Sequence, residues 1–194
     1  HSFTTVSTGG FSPYQNSIGS FYSAVIEWIC IVVILLAGGS LTLYYRALKR
    51  DPKPLLRSSE FKAYLLVVAG ITLWAFVASG NDGGQSAGFR DALFTTASTV
   101  TTTGYVTTEY GLWSQTTQLI LLLAMPIGAM AGSTAGGVKL VRVMAIASFA
   151  HREALRHLHP HLVRPVRVGN GILPDDVARR VVGFMILALA IFGG

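Results

Sequence analysis

The apolar residues of this chain show neither the stripe of an amphipathic helix nor the alternation of a half-buried strand. They gather in four blocks, at residues 24–45, 61–80, 113–150 and 181–194. Glu27 is the only charge in the first block and Lys62 the only one in the second, while Lys139 and Arg142 come towards the end of the third. A helix needs ~20 apolar residues to cross a hydrocarbon core. The first two blocks match that length, the third can cross even with an interruption, and the fourth stays apolar to the last residue. The pattern predicts an all-α integral membrane protein.

The polar stretches between the blocks predict the connections. Residues 12–20, with Pro13, Asn16 and Gly19, read as a polar link into the first span. Asp51-Pro52-Lys53-Pro54 reads as a helix-breaking turn, and Asn81-Asp82-Gly83-Gly84 as an exposed glycine-rich loop. Asp91 can cap a helix that begins at Ala92 and ends near Thr101, which leaves room for only two or three turns. Such a helix is too short to span, so it is expected to be re-entrant, a geometry tolerated where the loop lines a cavity or is buried in protein. Residues 163–176, with Pro165, Gly169, Gly171 and Pro174, read as a short connection.

Composition agrees with this reading. Half of the residues are hydrophobic and 12% are charged, against roughly 25% charged in soluble domains. The net charge of +6 raises nucleic acid as a partner, but the placement of the basic residues points elsewhere. Arg46, Lys49, Arg50, Lys53, Arg57 and Lys62 lie between the first and second blocks. Lys139, Arg142, Arg152, Arg156, Arg164, Arg167, Arg179 and Arg180 lie at or after the end of the third, so Arg90 is the only basic residue on the other side. The positive-inside bias then makes segments 46–62 and 150–180 cytoplasmic, and the charge reports topology. No basic n-region precedes the first apolar block, so no cleavable signal peptide is expected. Cys30, the single cysteine, sits inside a span and reads as a small apolar core residue.

One stretch occurs twice. HSFTTVSTGGF at 1–11 aligns with TTASTVTTTGY at 95–105, so that Thr5, Val6, Thr8 and Gly10 pair with the identical Thr99, Val100, Thr102 and Gly104. Thr4/Ser98, Ser7/Thr101 and Phe11/Tyr105 are close substitutions. A hydroxyl-rich segment closing on Thr-x-Gly-aromatic can offer backbone oxygens to a desolvated cation, and potassium filters are built from a loop of this type. Taken singly, Gly10 and Gly104 are ordinary turn glycines; two copies in register favour a filter. Internal repetition is also how many transport proteins build a central pathway.

Other features keep two readings. MPIGAMAGSTAGGV at 125–138 carries Pro126 and Gly128, Gly132, Gly136 and Gly137. It is either a small-residue packing stripe or a stretch of helix unwound across a conduction path, with Ser133 and Thr134 stabilising the non-helical backbone. Asp82, Asp91 and Glu109 either make an acidic outer mouth or are solvated loop residues. Glu27 reads as an interfacial polar residue rather than a pore ligand. The histidines of HREALRHLHPH at 151–161 read as a cytoplasmic helix end and turn, because no Cys or compact His pair with a carboxylate completes a metal site. An enzyme is not expected: Gly132-x4-Gly137 is followed by Val138-Lys139 and misses the phosphate-loop spacing by one residue.

STGGFS at 7–12, TTTGYVTT at 101–108, AGSTAGGVKLVR at 131–142 and HREALRHLHPHLVRPVRVGNGILPDDV at 151–177, in this order and spacing, resemble the Trk/Ktr/HKT superfamily of potassium transporters, most closely its TrkH type. The resemblance covers essentially the whole chain. It implies repeated M1–pore loop–M2 units, similar to four fused potassium-channel subunits, with re-entrant pore helices. Residues 1–57 would then be the end of the second repeat (pore loop and M2 helix), and 58–150 the third repeat with an interrupted M2. Residues 151–178 would be a cytoplasmic connection and 179–194 the start of the fourth repeat's M1. The first and fourth filter loops fall outside. Tyr14-Gln15-Asn16 departs from the more acidic or His-Asp type sequence frequent in the family.

The resemblance further implies K+ uptake across the bacterial inner membrane, with a K+/Na+ permeating member of the superfamily or a non-conducting assembly subunit as alternatives. Carbonyls of Thr8, Gly9 and Gly10 and of Thr102, Thr103 and Gly104 would line the filter, each loop closed by its aromatic residue, Phe11 or Tyr105. Gly128 and the run Ala131, Gly132, Ser133, Thr134, Ala135, Gly136 and Gly137 would form an intramembrane gating loop. Lys139 and Arg142 would meet the gate or a regulator. No cofactor is expected beyond the transported K+. A homodimer, membrane lipid and a cytosolic TrkA-like nucleotide-binding regulatory subunit are the implied partners, and channel-like and H+- or Na+-coupled flux both stay open.

Overall fold

The computed structural model describes residues 1–14, 17–49, 55, 57–81, 88–158, 166–168 and 171–193. The expected turn at 51–54, the loop at 82–84, Gln15, Asn16, His159, His161, Pro165 and Gly169 lie outside the described residues. In chain order the elements are α1 (Ser2–Val6), α2 (Ala24–Ala37), α3 (Leu41–Lys49), α4 (Ser59–Asn81), α5 (Phe89–Val100), α6 (Gln115–Ala124), α7 (Leu140–Leu158), β1 (Val166–Val168), β2 (Gly171–Leu173) and α8 (Asp175–Gly193). Single 3-10 turns lie at Ser17–Phe21, Tyr110–Leu112 and Met125–Ile127.

α4 is the one described helix that alone is long and apolar enough to cross a membrane, with a mean hydropathy of 1.9 over Ser59–Ala78. Its 23 residues rise about 34 Å, enough for a core of about 30 Å. The Ser58 hydroxyl accepts from the Phe61 backbone N–H at 3.3 Å and opens the helix. Tyr64, Val68, Thr72 and Ala75 lie on its buried face, whereas Leu65, Leu66, Leu73 and Trp74 point outward. A helix apolar on both faces belongs in lipid or among other helices.

The first apolar block departs from the expectation of one continuous span. Its helix ends at Ala37, and α3 leaves at 94° to α2. Gly38-Gly39-Ser40 makes the break, because two consecutive glycines sacrifice helix propensity at the point where another backbone approaches. A β-carbon at Gly38 would stand 2.5 Å from Tyr64 Oη and 2.6 Å from Thr101 Cγ2.

α5 is the hub. Val100 shares a cluster with Tyr64 and Val68 of α4, Phe94 and Ala97 with Ile31 and Ile34 of α2, and Ala92 with Ala75 and Leu121. Every residue from Thr95 to Ser98 is buried, so the helix is enclosed on all sides despite its hydroxyls. Its 12 residues rise about 18 Å, well short of a crossing. Asp91 is not its cap as expected. Gly88, in extended conformation, is the N-cap and the helix starts at Phe89. Asp91 stands in the first turn instead, where a carboxylate still faces the positive helix end.

Two further features follow from local sequence. α7 continues unbroken through 150 to Leu158, since nothing in HREALRHL stops a helix. Within the expected connection, β1 and β2 pair antiparallel with Val166 opposite Leu173 and Val168 opposite Gly171. The described residues are therefore mostly helical, with a short antiparallel strand pair rich in β-branched residues.

Candidate functional site

The two copies of the repeated stretch fold alike. In each, a short helix ends and the backbone N–H groups of the following loop turn back onto its last carbonyls. Ser7 N donates to Phe3 O at 3.0 Å, Thr8 N to Thr5 O at 3.2 Å and Gly9 N to Thr4 O at 2.8 Å. Ninety-four residues on, Thr101 N donates to Ala97 O at 3.0 Å, Thr102 N to Thr99 O at 3.0 Å and Thr103 N to Ser98 O at 2.8 Å. The donors are thus spent on the helix. Among the described residues no hydrogen bond ends on a carbonyl of Thr8, Gly9, Gly10, Thr102, Thr103 or Gly104.

The dihedral angles repeat as well. Thr8 and Thr102 have φ of 52° and 56°, and Gly10 and Gly104 have 65° and 82°. Left-handed backbone at a β-branched residue costs about 1–3 kcal/mol and persists where the surroundings impose it, most often at functional sites. Here it occurs twice at aligned positions. Gly10 needs its missing side chain for a second reason: a β-carbon there would stand 1.9 Å from Thr103 O. The two loops are therefore in direct backbone contact.

Side chains lock the second loop. Ser98 Oγ donates to Tyr105 O at 2.8 Å, Thr101 Oγ1 donates to Ala97 O at 2.7 Å, and the Thr101 and Thr103 hydroxyls bond each other at 2.8 Å. Tyr105 is buried, and its hydroxyl bonds Thr4 Oγ1 and donates to His1 O at 3.1 Å, which ties the second loop to α1 of the first. Phe11, its counterpart, is 78% exposed. A cavity of about 740 Å³ flanks the second loop at Thr102, Gly104 and Tyr105 and reaches Phe184 and Met185 of α8. No residue of the first loop lines it, so it is not the gap between the loops.

Residues 128–139 are non-helical. Pro126 ends the third block's first helix, and the chain passes through positive φ at Gly128 (62°), Gly132 (75°) and Gly137 (69°) before α7 begins. A β-carbon at Gly128 would meet Val138 O at 2.7 Å and Gly136 O at 2.8 Å, so the segment closes tightly on itself. Of the two readings of 125–138, a stripe on a continuous helix does not describe this backbone.

The segment sits against three neighbours. Met130 N donates to Gly38 O at 3.1 Å, Thr134 N to Ala37 O at 3.4 Å, and Leu41 N to Gly132 O at 3.1 Å. The break between α2 and α3 and the break between α6 and α7 thus supply the partners each other lacks, as irregular backbone at membrane depth requires. Thr134 Oγ1 also donates to Val6 O at 3.1 Å, and Gly136 N donates to Thr102 Oγ1 at 2.7 Å. Both repeated loops are touched at their helix ends. Finally, Ala131 N donates to Glu60 Oε1 at 2.6 Å.

The remaining expected residues divide. Lys139 Nζ donates to Ser133 O and Ser133 Oγ, both at 3.4 Å, and to Ala135 O, so it belongs to the segment. Arg142 lies instead over the Phe184 ring of α8, 4.3 Å from its centroid. Glu27 pairs with Arg90 at 2.5 Å, which anchors the start of α5 to α2. Glu109 is exposed next to the turn at Tyr110–Leu112. No local pattern pointed to Glu60, because its contact spans 71 residues. The Gly38-Gly39-Ser40 break did have a local signal, two adjacent glycines inside an apolar block.

With this architecture in view, the sequence profile of the TrkH family, described as a cation transport protein, matches residues 1–80 and 81–193. The chain is 33% identical over 200 residues to the Trk system potassium uptake protein TrkH of Halomonas elongata, covering 99% of this chain and 40% of that protein. It is 34% identical to the protein of the same name from Vibrio parahaemolyticus, over 95% of this chain and 39% of that one. The crystal structure of the potassium transporter TrkH from Vibrio parahaemolyticus superposes with a TM-score of 0.88 at 33% identity, covering 96% of this chain and 41% of that one. The chain belongs to the TrkH family of cation transport proteins and is an integral membrane protein. It spans about two fifths of the length of these relatives.

Proposed function

We propose that the chain forms part of a pathway for K+ uptake across the bacterial inner membrane, with the two repeated loops as adjacent quarters of a selectivity filter. The observation that carries this reading is the duplicated loop in which the N–H groups of residues 7–9 and 101–104 turn back onto a helix while, among the described residues, no hydrogen bond ends on the carbonyls of residues 8–10 or 102–104. A cation stripped of water needs such a set of oxygens, and a loop whose φ alternates in sign can turn successive carbonyls to one side. The helices that end at each loop aim the negative ends of their dipoles at the same place. Relatives at 33% and 34% identity are named potassium uptake proteins, which supports K+ as the cargo.

The 128–139 segment is the gate of this pathway. It is seated on the helix ends of both filter loops through Val6 O and Thr102 Oγ1, so an ion leaving the filter meets it. It is held by hydrogen bonds rather than by continuous helix, so it can leave as a unit. The basic residues place its side of the bundle in the cytoplasm. A homodimer and a cytosolic TrkA-like nucleotide-binding subunit acting on the α7 end complete the reading, and the transported ion is its only ligand.

The test uses the full-length transporter. Gly10→Ser and Gly104→Ser are expected to lower K+ over Na+ permeability, Gly10→Ser the more severely because its side chain also strikes Thr103 O. Unchanged relative permeabilities in both variants would contradict the filter.

A further inference from the structure

We infer that Glu60 is the latch of the 128–139 segment: its carboxylate accepts the Ala131 N–H and holds the segment in its seat against the filter loops. This rests on the reading of that segment as a gate and adds what keeps it shut. Glu60 stands in the first turn of α4 and reaches across to a non-helical segment. At 2.6 Å the bond is of the short, charge-assisted kind, roughly twice as strong as a neutral one.

Lys139 braces the same segment from within. Its ammonium donates to the Ser133 carbonyl, the Ser133 hydroxyl and the Ala135 carbonyl. The segment is thereby held by an anion that accepts an N–H and a cation that donates to carbonyls. The anion is on a different element, whereas Lys139 moves with the segment. Glu60 therefore supplies the charged contact from another element that must break when the segment leaves, together with the bonds to Ala37, Gly38, Leu41, Val6 and Thr102, and Lys139 keeps the departing segment compact. Among the described residues Glu60 makes no hydrogen bond to a filter residue, so it is a positioning residue that acts on flux and not on ion choice.

The experiment measures K+ flux through the full-length transporter in proteoliposomes without its cytosolic regulator. Glu60→Ala removes the acceptor and is expected to raise this basal flux about ten-fold, the change produced by losing one charge-assisted bond from a closed state. The K+/Na+ permeability ratio should stay at the parent value. Glu60→Gln keeps a neutral acceptor and should give an intermediate flux, a graded response that simple misfolding does not produce. Deletion of Gly132–Gly136 is the reference for a displaced gate. If that deletion raises flux while Glu60→Ala leaves it at the parent level, the latch is wrong and the gate stands. If the folded deletion is no leakier than the parent, the gate itself falls. Should Glu60→Ala not be recovered, Glu60→Gln decides alone, and parental flux in it overturns the latch.

Discussion

Thr8 and Thr102 hold a conformation that β-branched residues avoid, and they hold it at the same place in two copies of one stretch. The cost is met by the bonds around them: backbone donors turned back on the helix, the Thr101–Thr103 hydroxyl pair, and hydroxyl bonds from Tyr105 to Thr4 and His1. Tyr105→Phe tests the last of these. The first copy carries Phe11 at this position, so the ring itself suits the loop. The lost hydroxyl removes bonds to Thr4 and His1 and should lower stability by about 1 kcal/mol. A thermal melt of the purified full-length protein reads this, and a melt identical to the parent's would show that the hydroxyl carries no load. At this scale much was legible in the sequence, since the aligned Gly10 and Gly104 both adopt positive φ. The contact between Gly10 and Thr103 O was not, because no local pattern says which loop lies next to which.

At the scale of elements, the molecule is organised by broken helices. The break after Ala37 and the break after Ala124 face each other, and three backbone bonds between them replace the ladders each gave up. Gly38→Ala would drive a methyl against Tyr64 Oη and Thr101 Cγ2, and should cost about 1–3 kcal/mol by overpacking. Denaturation in detergent measures it, and a stabilised variant would refute the close approach. Deleting Gly132–Gly136 should raise basal flux and weaken regulation; a folded deletion no leakier than its parent would count against a gate. The sequence placed the second break by its proline and glycines but left its role open between packing and unwinding. It missed the first break, where apolar composition continues across Gly38-Gly39-Ser40 and periodicity has nothing to register. The hairpin at Val166–Leu173 was likewise hidden inside a segment read only as a connection.

At the scale of the whole molecule, Glu60 reaches the 128–139 segment from the start of α4, whereas Ala75, farther along the same helix, packs with Ala92 at the start of α5. In the proposed reading, positive-inside orientation puts that segment on the cytoplasmic side and the approach to the filter outside. A cysteine at Glu109, which is exposed, should react with an impermeant thiol reagent in intact cells, whereas Lys53→Cys should not. Labelling of Lys53→Cys from outside would reverse the orientation. Charge and hydropathy carry this expectation, because both report the membrane rather than the contacts within it.

The filter claim is tested most directly by locating the ion. The full-length transporter, its structure determined with Rb+ or Tl+ in place of K+, should show anomalous density within coordinating distance of the carbonyls of Thr8–Gly10 and Thr102–Gly104. Density confined to other sites, in a preparation that still takes up the same ion, would contradict it.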